Sequence, residues 1–208
     1  MNTPSLGLYI AASLALIATP GQDMIYVITR SLAQGRLAGV ASAFGVCTGI
    51  LVHTALAALG VGAILLASEA LFLGVKLAGA GYLLFIGVRM LFSRASGPGI
   101  EAAAGHLTPR SLFAQGVLSN VGNPKVVLFF IAFLPQFVDP ASPHPTRDLA
   151  FLGVLYASMA LPVKCAVGIA AGSLSERVLR RPQALAWMNR VSGGVLVALG
   201  LRLATADR

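Results

Sequence analysis

Residues 112–136 read LFAQGVLSNVGNPKVVLFFIAFLPQ, an apolar run with a single charge, Lys125, about midway along it. A membrane crossing needs about 20 residues at 1.5 Å rise each, and this run is long enough. Its centre is interrupted by Asn120, Asn123 and Pro124. Pro124 has no N–H to donate, and its ring clashes with the carbonyl of Asn120. The segment reads as a membrane helix broken near mid-bilayer, whose freed backbone groups must find protein or water partners. Ser119, Asn120 and Asn123 supply hydrogen-bonding groups where lipid supplies none. Lys125 is too deep to snorkel easily; its quieter reading is an ion pair that only holds helices together.

The rest of the chain fits that reading. Of 208 residues, 57% are apolar and 11% charged, against roughly 25% charged in soluble domains. The mean hydropathy is +0.83. A soluble fold of this size could not hide so much apolar surface, so lipid is the solvent over most of its length. The net charge of +8 does not indicate nucleic acid, because most arginines lie in short gaps between apolar stretches. That placement orients membrane proteins, and such gaps also suit anionic lipid heads.

Six apolar segments stand out, roughly 6–28, 38–66, 70–92, 112–136, 149–174 and 187–204. The first lacks the basic flank of a cleaved leader and reads as a retained span. Alternate gaps are basic: Arg30 and Arg36, then Arg94 and Arg110, then Arg177, Arg180 and Arg181. These gaps face the cytoplasm and the termini face out. If the interrupted first segment does not fully cross, five crossings remain and the N-terminus lies inside.

Residues 93–109 form a cytoplasmic linker with Gly97, Pro98 and Gly99, and 139–146 a proline-rich outer loop. The linker divides one transporter domain, 1–208, into halves 1–92 and 110–208 of three spans each. The first span of each half carries a buried proline, Pro20 and Pro124, half a chain length apart. Three spans per half force opposite orientations, so the expected fold is an all-α polytopic bundle of about six helices. It is a 3+3 inverted repeat with broken first and fourth helices, a common transporter plan.

The first break is Thr19-Pro20-Gly21-Gln22-Asp23. Asp23 lies within a turn of it, and a carboxylate at that depth is costly unless paired or wet. Its quieter reading is a solvated position near an interface. The three lysines, Lys76, Lys125 and Lys164, all lie inside expected spans, while the gaps use arginine. Lysine changes its protonation readily when buried, and arginine does not. Lys76 can snorkel, whereas Lys164 follows Pro162 in what reads as a third interrupted helix. Ala41, Gly45, Gly49, His53 and Ala57 form an i, i+4 row, as do Lys164, Gly168 and Gly172. Small residues in such rows let helices pack closely. His53 is more often an interhelical hydrogen-bond partner at such a place than a proton relay.

Candidate substrate-binding residues are therefore Thr19, Pro20, Gly21, Asp23, Asn120, Asn123, Pro124, Lys125 and Lys164, with Asp23 and His53 as proton-coupling candidates. No nucleotide, metal or nucleophile motif is present, so the chain reads as a secondary transporter without cofactor and not as an enzyme.

Three stretches carry a family resemblance: TPGQDMIYVITRSLAQGRLAG at 19–39, KLAGAGYLLFIGVRML at 76–91 and NPKVVLFFIAFLPQF at 123–137. The sequence resembles the lysine exporter (LysE/RhtB) family of bacterial amino-acid efflux proteins. Gln22 departs from the proline often found there. The resemblance implies multi-pass residence in the bacterial inner membrane and export of amino acids or close derivatives, driven by the proton motive force. Partners are then the amino acid, protons, lipid and, left open, a second copy of the chain. A zwitterion needs a carboxylate for its ammonium and a cation for its carboxylate, which Asp23 and Lys125 can supply. Two rivals remain: an intramembrane thiol–disulfide carrier using Cys47 and Cys165, and a metal-ion exporter of related architecture.

Overall fold

In a computed structural model of the chain, the described residues are 3–61, 69–92, 106–139, 142–173 and scattered positions of 190–205. Every regular element among them is helical. The helices are α1 (Thr3–Ala18), α2 (Gln22–Gln34), α3 (Arg36–Leu56), α4 (Glu69–Phe92), α5 (Pro109–Val121), α6 (Pro124–Leu128) and α7 (Pro145–Ala171). A π-helical turn, Ala57–Val61, extends α3. Another, Phe129–Phe133, extends α6 and passes into a 3-10 turn, Leu134–Phe137. Regular α-helix is not resumed around Pro135, which lacks the N–H to continue it.

Lipid-facing and inward faces are distinct. Leu37, Leu56, Leu59, Phe85, Leu118 and Phe151 are large apolar side chains on the outside, which no aqueous surface would collect in such number. Tyr9, Leu16, Phe129, Phe130, Phe133 and Tyr156 fill the interior. The Tyr9 hydroxyl donates to the Leu152 carbonyl at 2.6 Å, satisfying the one polar atom that ring buries.

Among the described residues, two unbroken helices are long and apolar enough to cross a membrane, Arg36–Gly60 and Pro145–Ala171. Two bent pairs qualify together: Leu6–Ala18 with Gln22–Gln34, turned by 47°, and Pro109–Val121 with Pro124–Phe137, turned by 52°. The first and fourth spans are thus broken at Pro20 and Pro124, as the sequence implies. α4 has 24 residues and is about 36 Å long at 1.5 Å per residue. Half of the sixth expected segment falls outside the described residues; within it Leu196 is buried, and Gly200 lies against Ala80 and Leu84 of α4. The linker positions 93–105 lie outside the described residues too.

One expectation is corrected. Pro162 does not interrupt its helix: α7 is continuous from Pro145 to Ala171. One missing bond is tolerated where a helix packs against a neighbour, and α7 packs along α3.

The small-residue rows sit where helices cross. A Cβ on Gly45 would lie 2.1 Å from the Phe113 carbonyl oxygen of α5, and one on Gly116 would lie 2.7 Å from the Ser42 carbonyl of α3. On the other flank, Gly39 of α3 meets Gly168 of α7, with 2.9 Å between a Cβ on the first and the Cα of the second. Ser31 of α2 donates to the Gly168 carbonyl, closing a three-helix junction. Gly35, between α2 and α3, has φ of 85°, a backbone that side chains rarely adopt and glycine adopts freely.

Candidate functional site

The two helix breaks meet. Asp23 lies in the first turn of α2, where the helix dipole favours a negative charge. It is buried, and three polar side chains hold it. The Asn120 side-chain amide donates to its Oδ2 at 2.7 Å, and the Asn123 amide donates to its Oδ1 at 2.7 Å. Lys164 Nζ stands 3.8 Å from Oδ2, and both side chains of that pair are almost fully buried. One carboxylate therefore joins the first break, the second break and the middle of α7.

Lys125 is used differently. Its ammonium donates to the carbonyls of Thr19 at 3.0 Å and Leu16 at 3.3 Å. These carbonyls at the end of α1 have lost their helical partners to the break, and a cation there also complements the helix dipole. Gly21 has φ of −156°, an extended backbone open to any residue. Space is what it contributes, since a Cβ at that position would lie 3.1 Å from Lys125 Nζ. The second break mirrors this local repair. Asn123 caps α6, its Oδ1 accepting from the Lys125 backbone N–H at 3.0 Å, with Pro124 in the first turn. The freed Asn120 carbonyl accepts from Asn123 N at 2.9 Å and bonds to His53 Nε2 at 3.1 Å.

All nine candidate binding residues and His53 thus fall within one connected region. Thr19 is buried, with its hydroxyl donating to the Ala15 carbonyl at 2.6 Å, and Pro20 forms the break itself. The sequence did not single out Gly49 as part of the site. A Cβ on Gly49 would lie 2.6 Å from Asn120 Cβ and 2.8 Å from its Oδ1, so Asn120 can reach Asp23 only because position 49 is bare. Its place in the row of Gly45 and His53 was the available signal. Asn120 Oδ1 is buried with no hydrogen-bond partner among the described residues. Cys47 and Cys165 are free thiols, the first buried beside Ile50 in the main core cluster.

A buried carboxylate where two broken helices meet, ion-paired to a lysine of a third helix inside a lipid-facing bundle, is the site of a polytopic membrane transporter. The chain matches the family model for LysE type translocators over residues 14–207 and belongs to that family; it is a bacterial membrane transporter, not an enzyme. It is 33% identical over 215 residues to an uncharacterized membrane protein of Pseudomonas aeruginosa, with 98% of each chain covered. It is 30% identical over 202 residues to the homoserine/homoserine lactone efflux protein of Salmonella typhimurium, with 95% of each covered. A membrane protein of Vibrio cholerae is 29% identical over 199 residues, again with 95% of each covered. No solved structure matches the chain.

Proposed function

We propose that the protein is a secondary exporter of amino acids or close derivatives, such as homoserine or its lactone, driven by the proton gradient. The observation that carries this reading is the buried carboxylate of Asp23, held by Asn120, Asn123 and Lys164 at the meeting of both helix breaks. Lys164 occupies the place that a substrate ammonium would take on Asp23. An incoming ammonium displaces it, and the freed lysine then faces the substrate's carboxylate or lactone carbonyl. Lys125, anchored on α1 carbonyls, adds positive potential and holds the break open. Protonation of Asp23 from outside removes its attraction for the ammonium and lets Lys164 or solvent complete the release. The halves 1–92 and 110–208 move against each other about the breaks, joined by the linker 93–109, in alternating access.

The test is excretion. Cells overexpressing the protein are compared with empty-vector cells and with cells carrying Asp23→Asn at equal membrane abundance. The reading expects one or more amino acids enriched in the medium of the first culture alone. Equal excretion by wild type and Asp23→Asn sinks it.

A further inference from the structure

Asp23 accounts for a substrate's charged end but leaves its side chain unplaced. Beside the site, near the end of α3 opposite Arg36, lies a cavity of about 350 Å³. His53, Ala57 and Gly60 of α3 and its π turn form one wall; Val121, Val127 and Ile131 are on the other. Its size falls at the low end of the roughly 300–1,000 Å³ typical of small-molecule sites. Both walls include π-helical turns, Ala57–Val61 and Phe129–Phe133, which are rare and recur at functional sites.

His53 is the only polar side chain on the lining among the described residues, and it points back to the charged cluster. His53 Nε2 meets the Asn120 carbonyl at 3.1 Å, and the Asn120 amide meets Asp23 at 2.7 Å. One histidine and one asparagine therefore separate the cavity from the carboxylate. Asn120 also has the buried, unpartnered Oδ1, a second acceptor for an ammonium that reaches Asp23. A lipid tail would fill an apolar groove but has no use for this connection to a buried charge.

We propose that this cavity is the side-chain subsite of the transport site, and that it selects amino acids or derivatives with uncharged, mainly apolar side chains. The inference rests on the reading of Asp23 as the charge site. A basic side chain placed here would lose its hydration with no counter-charge on the walls, whereas an apolar one gains by leaving water. For a ligand to occupy both places, His53 must release the Asn120 carbonyl, which makes His53 the partition between the two.

The experiment measures uptake of L-leucine, L-homoserine and L-lysine into everted membrane vesicles with an acid interior, for wild type and Asp23→Asn. Leucine and homoserine should be taken up in an Asp23-dependent way, at least tenfold faster than lysine. Val127→Trp and Val121→Trp, at half-buried wall positions, should each cut leucine uptake at least fivefold and homoserine uptake less. Val127→Glu should raise lysine uptake relative to leucine. Two filling positions are used so that poor insertion of one leaves the other. Asp23-dependent uptake that favours lysine overturns the subsite and leaves the exporter reading standing. So does a leucine-to-homoserine ratio unchanged in tryptophan variants that reach the membrane; the cavity is then a lipid site. No Asp23-dependent uptake of any of the three removes both readings.

Discussion

Asp23 takes two amide hydrogens and one ammonium, each from a different place: Asn120 at the end of α5, Asn123 in the break, Lys164 in α7. Removing one member of a buried pair costs about 3–5 kcal/mol, because the other is left uncompensated. Lys164→Met should therefore lower stability by an amount of that order, read as a fall in the melting temperature of the detergent-purified protein. Adding Asp23→Asn to Lys164→Met should recover most of the loss without restoring export. A pair that merely held helices together would predict the opposite for the second measurement, a stable double variant that exports normally. Asp23, Asn120, Asn123 and Lys125 could be picked from the sequence because polar groups at lipid depth must find one another. The partnership of Asp23 with Lys164, rather than Lys125, could not. It depends on the rotation of α7, set by the Gly39–Gly168 crossing, and on the orphan carbonyls of α1 that claim Lys125. Gly49 is equally hard to read as a site residue, since its contribution is the absence of a side chain next to Asn120. Gly49→Ala should push Asn120 off Asp23, cost about 1–3 kcal/mol as overpacking does, and reduce export although position 49 touches no substrate.

Helix crossings carry the fold, and glycines set how close they come. Gly45→Ala would place a methyl 2.1 Å from the backbone carbonyl of Phe113, which cannot turn aside as a side chain can. The α3–α5 crossing should open, with a loss of about 1–3 kcal/mol or more. Gly7→Ala is the matching control. No described atom lies within 4 Å of a Cβ at that position of α1. Alanine is the better helix former by about 0.5–1 kcal/mol, so the melting temperature should hold or rise. Equal falls for the two variants would contradict the crossing geometry. Rows of small residues spaced by four identified the packing faces of α3 and α7 in the sequence, and proline with asparagine identified both breaks. The continuity of α7 through Pro162 was not legible, because proline signals a lost bond without saying whether neighbours compensate. The π turns were equally hidden: no residue pattern in 57–61 or 129–133 distinguishes them from ordinary helix.

At the scale of the molecule, one end of the bundle gathers the basic residues. Arg30 at the end of α2 donates to Gln115 of α5 at 2.9 Å, Gln34 accepts from Leu107 N at 3.1 Å, and Arg36 begins α3. The opposite end has Asp139 and Asp148, the latter accepting from Ser142 at 2.6 Å. Single cysteines at positions 30, 94 and 181, in a chain lacking Cys47 and Cys165, should be labelled only from the cytoplasm, and one at Pro143 only from outside. Labelling at 94 from outside would reverse the orientation. Composition made the membrane class legible, and the order of apolar runs and basic gaps the crossing segments. Which charges meet across the bundle is a long-range matter that spacing along one chain does not encode. The proposed coupling of proton entry to substrate exit through Asp23 is read by gradient-driven transport in energised everted vesicles. With an acid interior imposed, the wild type should accumulate substrate and lose that accumulation when a protonophore collapses the gradient. Asp23→Asn, normalised to protein in the membrane, should accumulate none; accumulation by Asp23→Asn at the wild-type level with its pH dependence intact would contradict the account.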